Sequence, residues 1–195
     1  MHVAFVCTGN ICRSALAERL TTAFAEELGR CDLTASSSGT SAVVGSGMDP
    51  HAAEALLELG GAPGAFRARQ FVPAHVEQAD LVLTMTRAHR RDVLQRAPRG
   101  MSRTFTLLEA ADLLSLLPVD LPLPQPDDLG ARGTALVAAL ARTRAARGLV
   151  AREDDDVLDP IGRPADVHLA VADRIADALF PLLQTLTGLR TPAAA

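Results

Sequence analysis

A short apolar run, Val3-Ala4-Phe5-Val6, ends on Cys7, and Thr8-Gly9-Asn10-Ile11-Cys12-Arg13-Ser14 follows at once. The next residues, Ala15-Leu16-Ala17-Glu18-Arg19-Leu20, already carry a helical pattern. A buried strand that becomes a helix across so short a loop puts Cys7 at a strand end, beneath a helix N-terminus. The first N–H groups of a helix have no partner within it, so this junction can cradle an anion. The same positive end favours the thiolate form of a cysteine. Arg13 adds a planar fork that fits two oxygens of a phosphate. The bare spacing of cysteine, five residues and arginine recurs by chance. The strand before it and the helix after it make it specific.

The rest of the chain repeats the alternation. Strands are expected at 2–7, Leu33–Ser38, Asp80–Met85 and Thr104–Thr106, with helices at 14–28, 51–59, 87–96, 107–117 and 164–187. Asp49-Pro50 reads as an N-cap followed by proline in the first helical turn, and Gly60-Gly61 as the stop. Alternating strands and helices predict one doubly wound α/β domain over 1–195. Its centre is a parallel four-stranded sheet with helices on both faces. In such folds ligands bind at the carboxyl ends of strands, where Cys7 falls. Residues 118–128 read as an extended proline-rich linker. The stretch 130–152 carries Arg132, Arg142, Arg144, Arg147 and Arg152 and no acid, and Glu153, Asp154, Asp155 and Asp156 follow. We read it as a solvated helix held by weak surface charge pairs, in preference to a docking surface or a lid.

Composition narrows the function classes. A chain of 195 residues is long enough for one real core. The net charge of −4 argues against a nucleic-acid partner. No apolar run approaches membrane-spanning length, and the N-terminus enters a strand directly, so a cytoplasmic protein without membrane contact is expected. Three cysteines, Cys7, Cys12 and Cys31, are too few for a secreted disulfide framework. All 19 basic residues are arginine, which excludes Schiff-base chemistry and a lysine-bearing phosphate loop. His2, His51, His75, His89 and His168 are scattered, so neither a metal nor another cofactor is expected. Self-pairing as a weak homodimer stays open.

Phosphoryl transfer also needs a proton donor for the leaving oxygen. Asp159 is the candidate: it alone among five closely spaced acids precedes a proline and follows an apolar pair, Val157-Leu158.

Cys7 to Ser14, together with Asp159-Pro160, resembles the low-molecular-weight protein-tyrosine phosphatase family. Ser37-Ser38-Gly39-Thr40, Asp49-Pro50-His51-Ala52, Arg67-Ala68-Arg69-Gln70, the Asp80–Met85 strand and Phe105-Thr106-Leu107 match the family's pattern in order. Residues at about 118–152 do not match and read as an insertion. The resemblance implies a hydrolase of phosphotyrosine or other aryl phosphates that works through a phosphocysteine. Cys7 would be the nucleophile. The backbone of Thr8, Gly9, Asn10, Ile11, Cys12 and Arg13, with the Arg13 side chain, would bind phosphate. Ser14 would donate to the thiolate, Ser37 would support Asn10, and Asp159 would be the acid and then the base. It also implies a redox role for Cys12, whose thiol would capture an oxidised Cys7 as a reversible disulfide.

Departures from the family matter for the substrate. Ala15 stands where proline is usual, Phe66 where histidine is frequent, Thr86 where aspartate is common, and Ile161 where an aromatic residue lines the phenyl slot. An aliphatic wall forfeits about 1 kcal/mol of ring stacking. Met85-Thr86 and Val157–Pro160 are also similar to the protein-arginine phosphatase branch. That branch typically has threonine at position 11, and the bulkier, apolar Ile11 suits a flat phenyl ring better than a guanidinium. Tyrosine is therefore the first expectation and arginine the alternative. Thioredoxin-coupled arsenate reductases share the loop but need further cysteines downstream, and none follows Cys31. A small-molecule phosphatase and a non-catalytic phospho-binder are the remaining, weaker readings.

Overall fold

The computed structural model describes residues 1–118, 120–147 and 155–189; Arg152, Glu153 and Asp154 lie outside the described residues. Four strands, β1 (His2–Cys7), β2 (Thr34–Gly39), β3 (Leu81–Thr84) and β4 (Thr104–Thr106), pair in parallel in the order β2-β1-β3-β4. The helices are α1 (Arg13–Glu27), α2 (Pro50–Glu58), α3 (Ala74–Glu77), α4 (Arg87–Arg96), α5 (Leu107–Ser115), α6 (Leu129–Arg147) and α7 (Ala165–Thr187).

Period-two alternation along the strands builds two cores. Val3, Phe5, Cys7, Leu81 and Leu83 face the larger one, filled by α1, α2, α5, α6 and α7 through residues such as Leu16, Leu56, Leu113, Leu136 and Leu179. Ala4, Val6 and Val82 face the smaller one, closed by Phe71, Val76 of α3 and Val93 of α4. The sheet is covered on both faces, as parallel sheets require.

The strand order sets the site. The chain leaves β1 for β2 on one side and returns past it to β3 on the other, so the loops after β1 and β3 diverge. A crevice opens where the winding reverses. Cys7 ends β1, and Met85, just beyond β3, donates its N–H to the Val6 carbonyl at 2.9 Å.

Helix boundaries fall within a residue or two of expectation, as frayed ends allow. The capping box of Thr106 and Glu109 starts α5, and Asp49 caps α2 by accepting from the N–H groups of His51 and Ala52. Two elements were not anticipated, α3 and a 3-10 turn at Pro98–Arg103. The first is too short to show a period, and the second opens on Pro98-Arg99-Gly100, which reads as a breaker.

The solvated-helix reading of 130–152 is corrected. Leu129, Leu136, Ala139 and Leu140 of α6 are buried, and the helix packs on α5, α7 and the 3-10 turn. Its arginines reach past their apolar stems to backbone carbonyls. Arg144 donates to Thr104 and Met101 and lies over the Phe105 ring, and Arg132 donates to Thr185 and Pro124. Arg147 pairs with Asp112.

Candidate active site

The loop from Thr8 to Cys12 is tied down by its carbonyls. Thr8, Gly9, Ile11 and Cys12 accept from the N–H groups of Ser41, Val43, Asp49 and Leu16 at 2.8–3.0 Å. Among the described residues, none of the N–H groups from Thr8 to Cys12 donates a backbone hydrogen bond. Cys12, at the N-cap position of α1, makes no side-chain cap bond. Carbonyls turned outward and donors left unspent form an anion cradle at a helix N-terminus.

Asn10 shapes that cradle. Its φ of 55° is the left-handed region, which asparagine tolerates better than most residues. Its side chain is completely buried, donates through Nδ2 to Ser14 Oγ at 2.9 Å and Ser37 Oγ at 2.7 Å, and accepts from the Arg69 N–H at 2.8 Å. Because Ser14 Oγ accepts from Asn10, its own hydrogen is left for Cys7 Sγ, 2.9 Å away. Ser37 in turn donates to Glu18 at 2.5 Å. Phe66 therefore leaves no gap in the loop's support, which the Arg69 backbone, Ser37 and Ser14 supply. Phe66 itself packs with Ala15 and Ala68 beside Ile11.

Arg13 is 4% exposed, and its Nε has no hydrogen-bond partner. Its Nη1 donates to the Val157 carbonyl at 3.0 Å, and its Nη2 meets Asp159 Oδ2 at 2.6 Å. The buried Val157 also donates to the Met85 carbonyl at 2.8 Å, which pins the loop bearing Asp159 to the end of β3. Asp159 stays half exposed and accepts from the Ile161 N–H at 3.3 Å. Cys7 and Arg13 thus stand at the two ends of one loop, with Asp159 paired to Arg13.

Two residues that sequence reasoning passed over complete the frame. His89, in the first turn of α4, bridges Thr8 Oγ1 at 2.8 Å and Thr86 Oγ1 at 2.9 Å through its two ring nitrogens. Burial and then Arg13 push its pKa down to about 4, so it is neutral at physiological pH. Asp156 accepts from the Arg87 N–H at 2.7 Å and pairs with its guanidinium at 3.2 Å. Burial would raise its carboxyl, but the contacts from Arg87 outweigh that and hold it below the usual range. The sequence showed both only as a scattered histidine and one of several acids.

Cys7, Cys12 and Cys31 are all free thiols, and Cys31 is exposed. Burial, then the negative charge of Asp49, Cys7 and Asp159, pushes the Cys12 thiol up to about 12. Two of the scattered histidines meet in the fold. His168 lies beside Asp49 at 3.5 Å and against the His51 ring at 5.4 Å. Aliphatic side chains lie on and after the loop: Ile11 and Val43 stand beside Gly9, and Val44, Leu158 and Ile161 are exposed.

The family model described as low molecular weight phosphotyrosine protein phosphatase matches residues 2–129. A protein-arginine-phosphatase of Bacillus subtilis is 38% identical over 186 residues, spanning 95% of this chain and 97% of its own. A low molecular weight protein-tyrosine-phosphatase of Streptomyces coelicolor is 40% identical over 99 residues, 50% of this chain and 60% of its own. Among solved structures, the YwlE arginine phosphatase, as a cysteine-to-serine mutant with a phosphorylated active-site serine, superposes with a TM-score of 0.69. It is 28% identical and covers 97% of this chain and 98% of its own. No described helix is long and apolar enough to cross a membrane. With the parallel sheet, the phosphate-type loop and these matches together, the chain belongs to the low-molecular-weight phosphotyrosine protein phosphatase family and is a cysteine-based phosphatase.

Proposed function

We propose that the chain hydrolyses phosphotyrosine in phosphorylated proteins, and aryl phosphates generally, through a phosphocysteine at Cys7. The phosphate enters the cradle of N–H groups from Thr8 to Arg13. Its oxygens take up the unpartnered Arg13 Nε and displace Asp159 from Nη2. Cys7 Sγ then attacks phosphorus and the phosphorus–oxygen ester bond breaks. The departing aryl oxygen takes the proton of Asp159. Water next attacks the phosphocysteine and loses its proton to Asp159. The sulfur–phosphorus bond breaks, and inorganic phosphate leaves. Ser14, oriented by Asn10, donates to the departing thiolate.

The observation that carries the tyrosine reading is the aliphatic pair, Ile11 and Val43, beside Gly9 of the loop. An apolar wall accepts a phenyl ring, whereas a charged guanidinium would be desolvated against it without a partner. Phosphoarginine is the second reading. It is supported by the protein-arginine phosphatase of B. subtilis, which aligns over nearly the whole of both chains.

Metal-free hydrolysis of p-nitrophenyl phosphate, a phosphotyrosine peptide and a phosphoarginine peptide tests both. Cys7→Ser should abolish turnover, and Asp159→Asn should lower kcat by about 10²–10⁴-fold. The wild type should prefer phosphotyrosine, and Ile11→Thr should move the preference toward phosphoarginine. A wild type that prefers phosphoarginine would replace the first reading with the second. A folded protein inactive on all three would overturn both.

A further inference from the structure

Behind the cradle, three elements bring together side chains that the proposed reaction does not use. Cys12 stands at the start of α1, Asp49 caps α2 and His168 sits in the first turns of α7. One ligand atom from each, the cysteine sulfur, a carboxylate oxygen and a ring nitrogen, lies within 4.8 Å of the others. Cys12 is 5% and His168 2% exposed.

The second observation is a missing bond. His168 Nδ1 is buried and has no hydrogen-bond partner, although Asp49 Oδ1 is only 3.5 Å away. Buried ring nitrogens are almost always satisfied, and an orphan of this kind is destabilising. Both cap bonds to Asp49, from the N–H groups of His51 and Ala52, end on Oδ1 and leave Oδ2 outside them. Two ligands bound tetrahedrally at about 2.0–2.1 Å stand roughly 3.3 Å apart, close to the 3.5 Å between His168 Nδ1 and Asp49 Oδ1.

We propose that Cys12, Asp49 and His168 form a binding site for one borderline-soft divalent cation of the zinc class. A thiolate, an imidazole and a carboxylate are zinc's usual donors, whereas magnesium and calcium need mainly oxygen. Water fills the fourth position from the side where Asp49 is partly exposed. On binding, Cys12 releases its thiol proton to solvent as the sulfur–metal bond forms. The cation would join the residue before Arg13 to α2 and α7. The site is thus a regulatory clamp on the phosphate loop, outside the proposed chemistry.

The test is a cobalt(II) titration of the Cys7→Ser variant, which removes the other buried thiol. One equivalent should bind, with a thiolate-to-cobalt charge-transfer band and tetrahedral visible bands, and zinc should displace it. Adding Cys12→Ser should abolish the charge-transfer band. Adding His168→Gln or Asp49→Asn should weaken binding by about tenfold or more, since even supporting residues of metal sites cost about 10–100-fold. Melting curves in EDTA identify any variant that fails to fold, and the other two then carry the result. Adding Cys31→Ala should change nothing. Absence of the bands, their survival in a folded Cys12→Ser variant, or their loss with Cys31→Ala would overturn the proposal.

Discussion

At Asn10 the chain takes a left-handed turn that directs the loop's N–H groups to one side, and three hydrogen bonds hold it there. Asn10→Ala keeps the turn but adds about 1 kcal/mol of backbone strain and strands the Arg69 N–H without its acceptor. We expect a loss of about 2–4 kcal/mol, read from urea midpoints, and a fall in kcat, because Ser14 loses the donor that orients its hydroxyl. A change under about 0.5 kcal/mol would show that the backbone holds the turn unaided. The same network explains how Phe66 is tolerated where histidine is frequent, since the loop's support runs through Ser37, Ser14 and the Arg69 backbone. Cys12 has two proposed uses, the capture of an oxidised Cys7 and the cation site with Asp49 and His168. Burial first, and then the charge of Asp49, pushes the Cys12 thiol up to about 12.

At the scale of elements, α4 meets the phosphate loop through His89. Its folded pKa of about 4 lies below the ordinary histidine value of 6.5, so the unfolded chain binds more protons between those values. The stability linked to His89 is present in full above 6.5. It is lost progressively as pH falls through 6.5 toward 4. The loss should be on the order of 3 kcal/mol. Denaturant titrations at pH 7 and pH 4.5 should show a smaller pH dependence in His89→Gln than in wild type; equal dependence would contradict a neutral, buried imidazole. Helix α6 teaches a related lesson. Its arginines suggested a wet surface, yet their stems lie over core while their heads reach carbonyls of the 3-10 turn, β4 and α7. Charge count alone misjudged its burial.

Across the whole molecule, the ion pair between Arg13 and Asp159 joins the loop after β1 to a loop near the far end of the chain. Asp159 holds a guanidinium nitrogen that the substrate's phosphate would also use. Asp159→Asn removes that competing charge, so inorganic phosphate should inhibit the variant several-fold more tightly even as turnover falls. Inhibition constants for phosphate in both proteins check this. Weaker or unchanged inhibition would mean that Asp159 helps to hold phosphate rather than displacing it.

What the amino-acid sequence determined by itself is local. A strand ending in Cys7, a loop ending in Arg13 and a helix behind it are set by hydrophobic period and by residues adjacent in the chain. The parallel sheet follows from repeating that unit. A proline and an apolar pair single out Asp159 as a candidate among its acidic neighbours, and only the fold brings it to Arg13. Only the tertiary structure decided what depends on pairing distant segments. It tied Val157 to Met85, placed His89 against Thr8, and set His168 beside Cys12 and Asp49. Those partners lie tens to more than a hundred residues apart, and no periodicity links them. Their meeting is fixed by strand order and by which helix face fills the core.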